Sequence, residues 1–135
     1  MAAVKSICEE MLDSYVTQVQ RVKEQSKISG PIQNSCYYIK THTTSQLSLK
    51  ELAKRAGYTE YYFSQKFKKE VGLSVNDFIL NAKIEHAKLL LADTAESIQS
   101  ISDRLAFGSR SYFYTCFQKL TGSFPSEYRR QNGRR

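Results

Sequence analysis

The sequence contains no apolar run that approaches the ~20 residues needed to cross a bilayer, and it opens without the charged-then-apolar pattern of a secretory leader. Its three cysteines are scattered and odd in number, which argues against a disulfide framework and fits a reducing compartment. Strand-like alternation of useful length is also missing, so the sequence predicts an all-α protein. We therefore expect a soluble, cytoplasmic protein that does not act on membranes.

Patterns typical of enzymes and of cofactor sites are missing as well. His42 and His86 are far apart, and no Cys/His cluster has metal-ligand spacing. There is no Gly-rich phosphate loop, paired-carboxylate motif or nucleophile beside a base. Cys116 is the one cysteine with a basic neighbourhood, which a DNA-repair enzyme fragment would need to activate a thiolate, but a packing role is the simpler interpretation. The sequence thus predicts no enzyme, no cofactor and no metal site.

Positive charge is abundant and unevenly placed. The formal net charge is +7, and residues 1–30 carry four basic and four acidic side chains, so they contribute nothing to it. The other 16 of the 20 basic residues and nine of the 13 acidic residues lie in residues 31–135. A small basic domain suggests a polyanionic partner, nucleic acid first. The alternative from charge alone is a basic protein-interaction module that binds an acidic partner.

Helix signals divide the chain into two parts. Apolar residues spaced three and four apart predict a helix over residues 4–27, and Gly30 with Pro31 interrupts the pattern. That helix fits a dimerising coiled coil, a linker left from a longer protein, or a helix docked on the same domain, and we favour the linker. We expect residues 1–30 to form this linker or dimerisation helix and residues 31–131 to form the domain.

Capping signals place the helices of the domain. Ser48, Thr59, Ser74 and Ser97 each stand where a hydroxyl could cap a helix, and Pro125 suits a first helical turn. The predicted parts are a first helix-turn-helix at about 48–72, a linker helix at about 74–92, a second helix-turn-helix at about 97–122 and a C-terminal helix at about 125–131.

The two halves of the domain partly repeat each other. At an offset of 49, Ala53 matches Ser102 and Gly57 matches Ala106. At an offset of 50, Phe63 matches Phe113, Phe67 matches Phe117 and Gly72 matches Gly122. The change of offset predicts one extra residue in the second turn. A repeat of this period indicates two copies of one supersecondary unit.

Each copy has the properties of a helix-turn-helix. A small residue in the first helix permits close packing, and a small residue four positions later permits the turn. On a helical wheel the phenylalanines of the second helix share one face, while Tyr61, Gln65 and Lys68 lie on the other. In the second copy the outward set is Arg110, Ser111, Thr115 and Gln118. Such a helix suits a DNA major groove.

The sequence also matches a known pattern. Its first half reads "LSLKELAKRAGYTEYYFSQKFKKEVGLSVNDFI". Its second half contains the gapped series Phe107, Ser111, Tyr112, Phe113, Phe117, Lys119, Gly122, Pro125, Tyr128 and Arg129. Together they resemble the DNA-binding domain of AraC/XylS transcriptional regulators over about Ile32 to Arg130. The resemblance implies a seven-helix domain that binds a promoter with reading helices at 59–71 and 109–121.

The resemblance also implies site residues and partners. The base-contacting positions would be Tyr61, Ser64, Gln65, Arg110, Ser111, Tyr114 and Thr115. Apart from the resemblance, lysines flank the outward faces where a phosphate backbone would run, and we expect phosphate contacts from Thr59, Lys66, Lys68, Lys69, Ser109 and Lys119. The partners would be double-stranded DNA and RNA polymerase, as for a bacterial activator. We further expect a sensor domain that is absent from this chain and a homodimer that forms through residues 4–27.

Several positions depart from that family pattern. Many members carry arginine where this chain has Gln65 and Thr115, a glycine where it has Ala106, and a lysine where it has Gln118. Phe124 stands where a small helix-capping residue is common. We expect the second motif to bind DNA more weakly than the first, or to rely on shape and phosphate contacts.

Overall fold

The computed structural model describes residues 28–133, in which the backbone forms seven α-helices and no β-strand. The helices are α1 Gly30–Thr41, α2 Leu49–Ala56, α3 Glu60–Val71, α4 Val75–Asp93, α5 Ile98–Arg104, α6 Arg110–Thr121 and α7 Pro125–Asn132. The expected all-α fold, with two helix-turn-helix motifs joined by a long helix, is confirmed. The predicted helix over residues 4–27 lies outside the described residues, and the division at residue 30 stays a prediction.

Hydroxyl side chains begin five of the helices. In each case the side-chain oxygen accepts a hydrogen bond from the backbone N–H three residues later. The pairs are Ser48 with Glu51, Thr59 with Tyr62, Ser74 with Asp77, Ser97 with Ser100 and Ser109 with Tyr112. Each bond satisfies an N–H group that the helix itself cannot pair, a contribution of about 1 kcal/mol. The helix starts are therefore local properties of the sequence.

The last helix begins differently. Phe124 occupies the capping position of α7 and has no side-chain oxygen that could accept a hydrogen bond. Its backbone N–H donates to Glu127 Oε1 at 3.2 Å. Pro125 follows at the first helical position, where its missing N–H costs nothing.

Helix α4 takes part in two hydrophobic cores. Its first half supplies Val75, Phe78 and Ile79 to the first core, which α1, α2 and α3 complete. Its second half supplies Ile84, Ala87 and Leu91 to the second core, which α5, α6 and α7 complete. Because each core contains one helix-turn-helix, α4 is the structural link between the two motifs. Within residues 28–133, none of the helices combines the length and apolarity that crossing a bilayer would require.

The turns of the two motifs share the same backbone hydrogen bond, and the second turn contains one additional glycine. In the first turn Tyr58 N donates to Ala53 O at 3.0 Å, and in the second Phe107 N donates to Ser102 O at 3.1 Å. Thr59 caps α3 directly after the first of these turns, whereas Gly108, with φ of 91°, precedes the corresponding cap in the second. This glycine is the extra residue expected from the change of offset.

Candidate nucleic-acid interface

Helices α3 and α6, here called the reading helices, are each anchored by two phenylalanines. Phe63 and Phe67 in α3 and Phe113 and Phe117 in α6 have no exposed surface. The two ring pairs have centroid separations of 5.7 Å and 5.8 Å. Truncating one such side chain to alanine would cost about 3–5 kcal/mol. Because the rings are four residues apart, they fix one face of each helix inward and leave the other outward.

The outward face of α3 contains the residues that the helical wheel places there. Tyr61 is 76% exposed, and Gln65 lies one turn further along the same face, also exposed. Lys68 continues this face toward the end of the helix, and Ser64 beside it is half-buried. The amide of Gln65 and the hydroxyl of Tyr61 are therefore accessible hydrogen-bonding groups.

The three lysines of α3 have different surroundings. Lys68 and Lys69 are exposed. Lys66 instead pairs with Glu70, with 2.9 Å between Nζ and Oε2, and its Nζ lies 5.8 Å from the centroid of the Tyr62 ring. Of the three, Lys66 is the one already engaged with an acidic side chain of its own helix.

Glu70 connects α3 to the segment that precedes α1. Its Oε1 accepts from Ser29 N at 2.8 Å and from Ser29 Oγ at 3.0 Å. Burial acts to raise the pKa of Glu70, but the hydrogen bonds from Lys66 and Ser29 outweigh it, so the pKa is lowered from its ordinary value.

The outward face of α6 is polar and begins with a cation. Arg110, Ser111 and Thr115 are exposed, and Thr115 Oγ1 donates to Ser111 O at 3.0 Å. Further along the helix Gln118 and Lys119 are also exposed. The guanidinium of Arg110, on an exposed residue at the start of the helix, has five N–H donors.

Tyr114 differs from these neighbours because its ring is half-buried. The ring packs edge-on against Phe113 at 6.4 Å and tilts against Phe124 at 6.1 Å, with the guanidinium carbon of Arg110 5.8 Å from its centroid. The aromatic residue at the α7 capping position therefore supports the second reading helix through Tyr114.

Both reading helices point their first turns at solvent. Thr59 and Ser109 cap α3 and α6, and both residues are exposed. A helix N-terminus carries unpaired N–H groups and a partial positive charge, which favour an anion such as a DNA phosphate. The capping hydroxyls accept from the backbone and keep their own O–H proton for donation.

The histidines and cysteines of residues 28–133 are packing residues. His42 stacks on Tyr38 with ring centroids 3.9 Å apart, and His86 Nδ1 lies 2.7 Å from Thr43 Oγ1. Cys116 is buried, and its hydrogen bond with Tyr112 raises the pKa of that tyrosine. Among the described residues no three His, Cys, Asp or Glu side chains form a group that could hold a metal ion.

The sequence patterns did not reveal the roles of two basic residues that hold other segments of the fold to α4. Arg129 of α7 donates from Nε to Leu91 O at 3.0 Å and from Nη2 to Thr94 O at 3.1 Å, so it caps the C-terminus of α4. Lys83 of α4 is buried and donates to three backbone carbonyls. The available signal for Lys83 is its position four residues after Ile79, on the apolar stripe of α4.

Comparison with known proteins places this arrangement in context. The family model described as "Helix-turn-helix domain" matches residues 52–131. An uncharacterized HTH-type transcriptional regulator of Staphylococcus aureus is 32% identical over 115 residues, which is 85% of this chain. The chain spans 15% of that regulator's length.

Two solved structures resemble the fold across both motifs. The C-terminal domain of AraT, a response regulator from Geobacillus stearothermophilus, superposes with a TM-score of 0.77 at 29% identity, covering 82% of this chain and 92% of that domain. The DNA-binding domain of AdpA, solved with a target DNA, has a TM-score of 0.73 at 23% identity, covering 76% of this chain and 93% of that domain. At this level of identity, the resemblance to the AdpA domain shows a shared fold.

Proposed function

This chain belongs to the helix-turn-helix family of AraC-type transcriptional regulators, whose domains bind specific DNA sequences and regulate transcription, and we propose that it reads two adjacent major-groove segments with α3 and α6. One observation carries the proposal. On both helices the phenylalanine face is fully buried and the opposite face presents exposed hydrogen-bonding side chains. A major groove is wide enough to admit such a helix and displays a distinct pattern for each base pair.

The base contacts divide by side-chain chemistry. Gln65 can pair through two hydrogen bonds with the edge of an adenine, and Arg110 can do so with a guanine. The remaining candidates make single hydrogen bonds or apolar contacts with base edges: Tyr61, Ser64, Ser111, Tyr114 and Thr115. We therefore expect the strongest base preferences opposite Gln65 and Arg110.

The phosphate contacts would come from the ends and flanks of the reading helices. The candidates are Thr59, Lys66, Lys68, Lys69, Ser109 and Lys119. Lys68, Lys69 and Lys119 are exposed cations. Lys66 would contribute least, because a phosphate must compete with Glu70 for its ammonium group.

The length of α4 suits joint binding. Its 19 residues span roughly 28 Å at 1.5 Å per residue, and successive major-groove faces lie about 34 Å apart on one side of the duplex. A single chain could then contact two segments, an arrangement that many repressors achieve by dimerisation.

The wider biological role is part of the same proposal. The whole protein would act in the bacterial cytoplasm as an activator that contacts RNA polymerase, with a sensor domain outside these 135 residues and a dimer contact through residues 4–27. The much greater length of the Staphylococcus relative supports a further domain. The proposed role includes no catalytic step.

Selection of bound duplexes from a random pool tests the proposal directly. The expected result is an enriched site with two conserved segments whose centres are about one helical turn apart. A pool that remains random after repeated rounds, at a salt concentration where the chain still binds DNA, would contradict it. Enrichment of a single segment would show that one reading helix acts alone.

A further inference from the structure

Lys83 is a charged residue in the middle of α4 with only 5% of its surface exposed. Its Nζ donates hydrogen bonds to the carbonyl oxygens of Thr43 at 2.6 Å, Leu105 at 2.7 Å and Ser45 at 2.9 Å. An ammonium group has three N–H donors, so this arrangement uses all of them. Burial lowers the pKa of Lys83 to about 8, and the amine is therefore mainly charged below that pH.

The three acceptors come from distant parts of the fold. Thr43 and Ser45 lie in the loop between α1 and α2, respectively 40 and 38 residues before Lys83. Leu105 lies 22 residues after it, where α5 ends and the turn of the second motif begins. We call Lys83 and these three acceptor residues the Lys83 junction. It joins the loop that leads into the first motif, the linker helix and the second motif's turn.

Neighbouring contacts reinforce the same connection. Gln46 Nε2 of the loop donates to Ala106 O in the second turn at 3.4 Å. Thr43 Oγ1 and His86 Nδ1 lie 2.7 Å apart, which ties the same loop to α4. The loop that precedes the first motif is therefore held to the second motif by polar contacts on the surface of α4.

Each motif has its own hydrophobic core, whereas the junction spans both. The first core and the second core share α4 and no other helix. Of the four junction residues, Leu105 alone also belongs to one of the two cores. Loss of the ammonium group would leave three carbonyl oxygens without their donor at the place where the two halves meet.

We propose that Lys83 is a positioning residue that locks the two helix-turn-helix motifs into one relative orientation, so that α3 and α6 engage DNA segments of one fixed spacing. This inference rests on the proposed two-segment binding. A residue that contributed only to stability would change the free energy of unfolding and leave both the relative orientation and the spacing preference unchanged.

The first test measures orientation in the free chain and needs no DNA. Residual dipolar couplings are recorded at pH 6.5 for the unaltered chain and for Lys83→Met, which keeps a long side chain and removes the charge and the donors. One alignment tensor should fit both motifs of the unaltered chain, and two different tensors should be needed for Lys83→Met. A single tensor of unchanged orientation in Lys83→Met would overturn the inference.

The second test measures spacing on DNA. The duplex selected by the unaltered chain is remade with one, two or three base pairs inserted between its segments, each insertion rotating one segment by about 34–36°. The unaltered chain should lose at least about tenfold in affinity at three inserted base pairs, because the contacts of one reading helix are lost. Lys83→Met should bind the original duplex more weakly and lose less than about threefold on the same insertion.

Matched variants separate positioning from general damage. Lys83→Arg retains the charge and several donors, so it should restore the single tensor and the steep spacing profile. Lys88→Met makes the same substitution at a lysine of the same helix that pairs with Glu85 and lies outside the junction, so it should behave as the unaltered chain. Where Lys83→Met prevents folding, Lys83→Gln replaces it, with the same expected direction and the same overturning result.

The two tests also distinguish failure of this inference from failure of the proposed function. If the unaltered chain selects no DNA site while Lys83→Met still needs two tensors, the junction stands and two-segment DNA binding fails. If a two-segment site is selected but Lys83→Met keeps its orientation and a steep spacing profile, the inference alone fails.

Discussion

Gly57 and Ala106 occupy the same position in the turns of the two motifs, and both have a positive φ, of 80° and 58° respectively. Each donates its backbone N–H to a carbonyl three residues earlier, in Lys54 and Asp103, at 3.1 Å and 3.0 Å. The turn geometry is thus the same although the side chain differs. Glycine adopts this conformation without steric cost, whereas the Cβ of alanine costs roughly 1–2 kcal/mol there.

Exchanging the two residues at these turns should change stability in opposite directions. Ala106→Gly should raise the free energy of unfolding by about 0.5–1 kcal/mol. The substitution removes strain from the folded state, and this gain is only partly offset by the greater backbone entropy of glycine in the unfolded chain. Gly57→Ala should lower it by about 1 kcal/mol, since no atom lies within 4 Å of the added Cβ and strain is the main effect. Urea unfolding measures both, and changes of the same sign would contradict the explanation.

Removing the amide of Gln65 should relax one base preference. Gln65→Ala is expected to cost roughly 1–3 kcal/mol at one base pair and little at the others, because a paired amide discriminates at a single position. Equilibrium binding to the selected duplex and to its single-base variants measures this loss. Gln33→Ala removes the same exposed amide from α1 and serves as the control. An unchanged base preference after Gln65→Ala would exclude α3 from the groove.

The departures in the second motif predict an unequal division of binding energy. Arg110→Ala should weaken binding to the selected duplex less than Gln65→Ala does, because the second motif would depend more on shape and on phosphate contacts. Both variants are titrated against the same duplex at the same salt concentration. An equal or larger loss from Arg110→Ala would show that the second motif reads bases as strongly as the first.

The lysines of α3 should differ in their effect on salt dependence. Lys68→Ala should weaken binding to all sequences alike and reduce the slope of log K against log salt by about 0.9, the value for one phosphate contact. Lys66→Ala should have a smaller effect because Lys66 already pairs with Glu70. Lys88→Ala, which removes an equal charge paired with Glu85 on α4, is the control and should leave the slope unchanged. Identical slopes for Lys68→Ala and Lys88→Ala would contradict the assignment.

Glu70 should make stability depend on pH. Because hydrogen bonds from Lys66 and Ser29 hold its pKa below the ordinary 4.5, the carboxylate contributes stability that is complete above that value and is lost as the pH falls through its lowered pKa. Glu70→Gln should therefore destabilise the chain at pH 7 and make less difference at pH 3. Thermal unfolding of both proteins at the two pH values measures this, and an equal difference at both would rule out the carboxylate as the cause.

Much of the fold could be predicted from the sequence because its signals are short-range. The bond between Ser48 and Glu51 joins residues three apart, and the phenylalanine pair of α3 is four apart. Such patterns place helix starts and buried faces to within a residue or two. The outward orientation of Tyr61 and Gln65 follows from the same periodicity, since buried phenylalanines on one side leave the other side to solvent.

The sequence by itself determined the helices, the repeat and the faces of the reading helices, because each depends on neighbours within about one helical turn. Only the tertiary structure decided which cations remain available for DNA and which are committed to the fold. Arg129 donates to Leu91 O, 38 residues earlier, and Lys83 is buried among carbonyls that lie 22 to 40 residues away. The sequence alone does not explain a lysine at a position of the apolar stripe. Its role appears only when folding brings three distant backbone oxygens within reach of its three N–H donors.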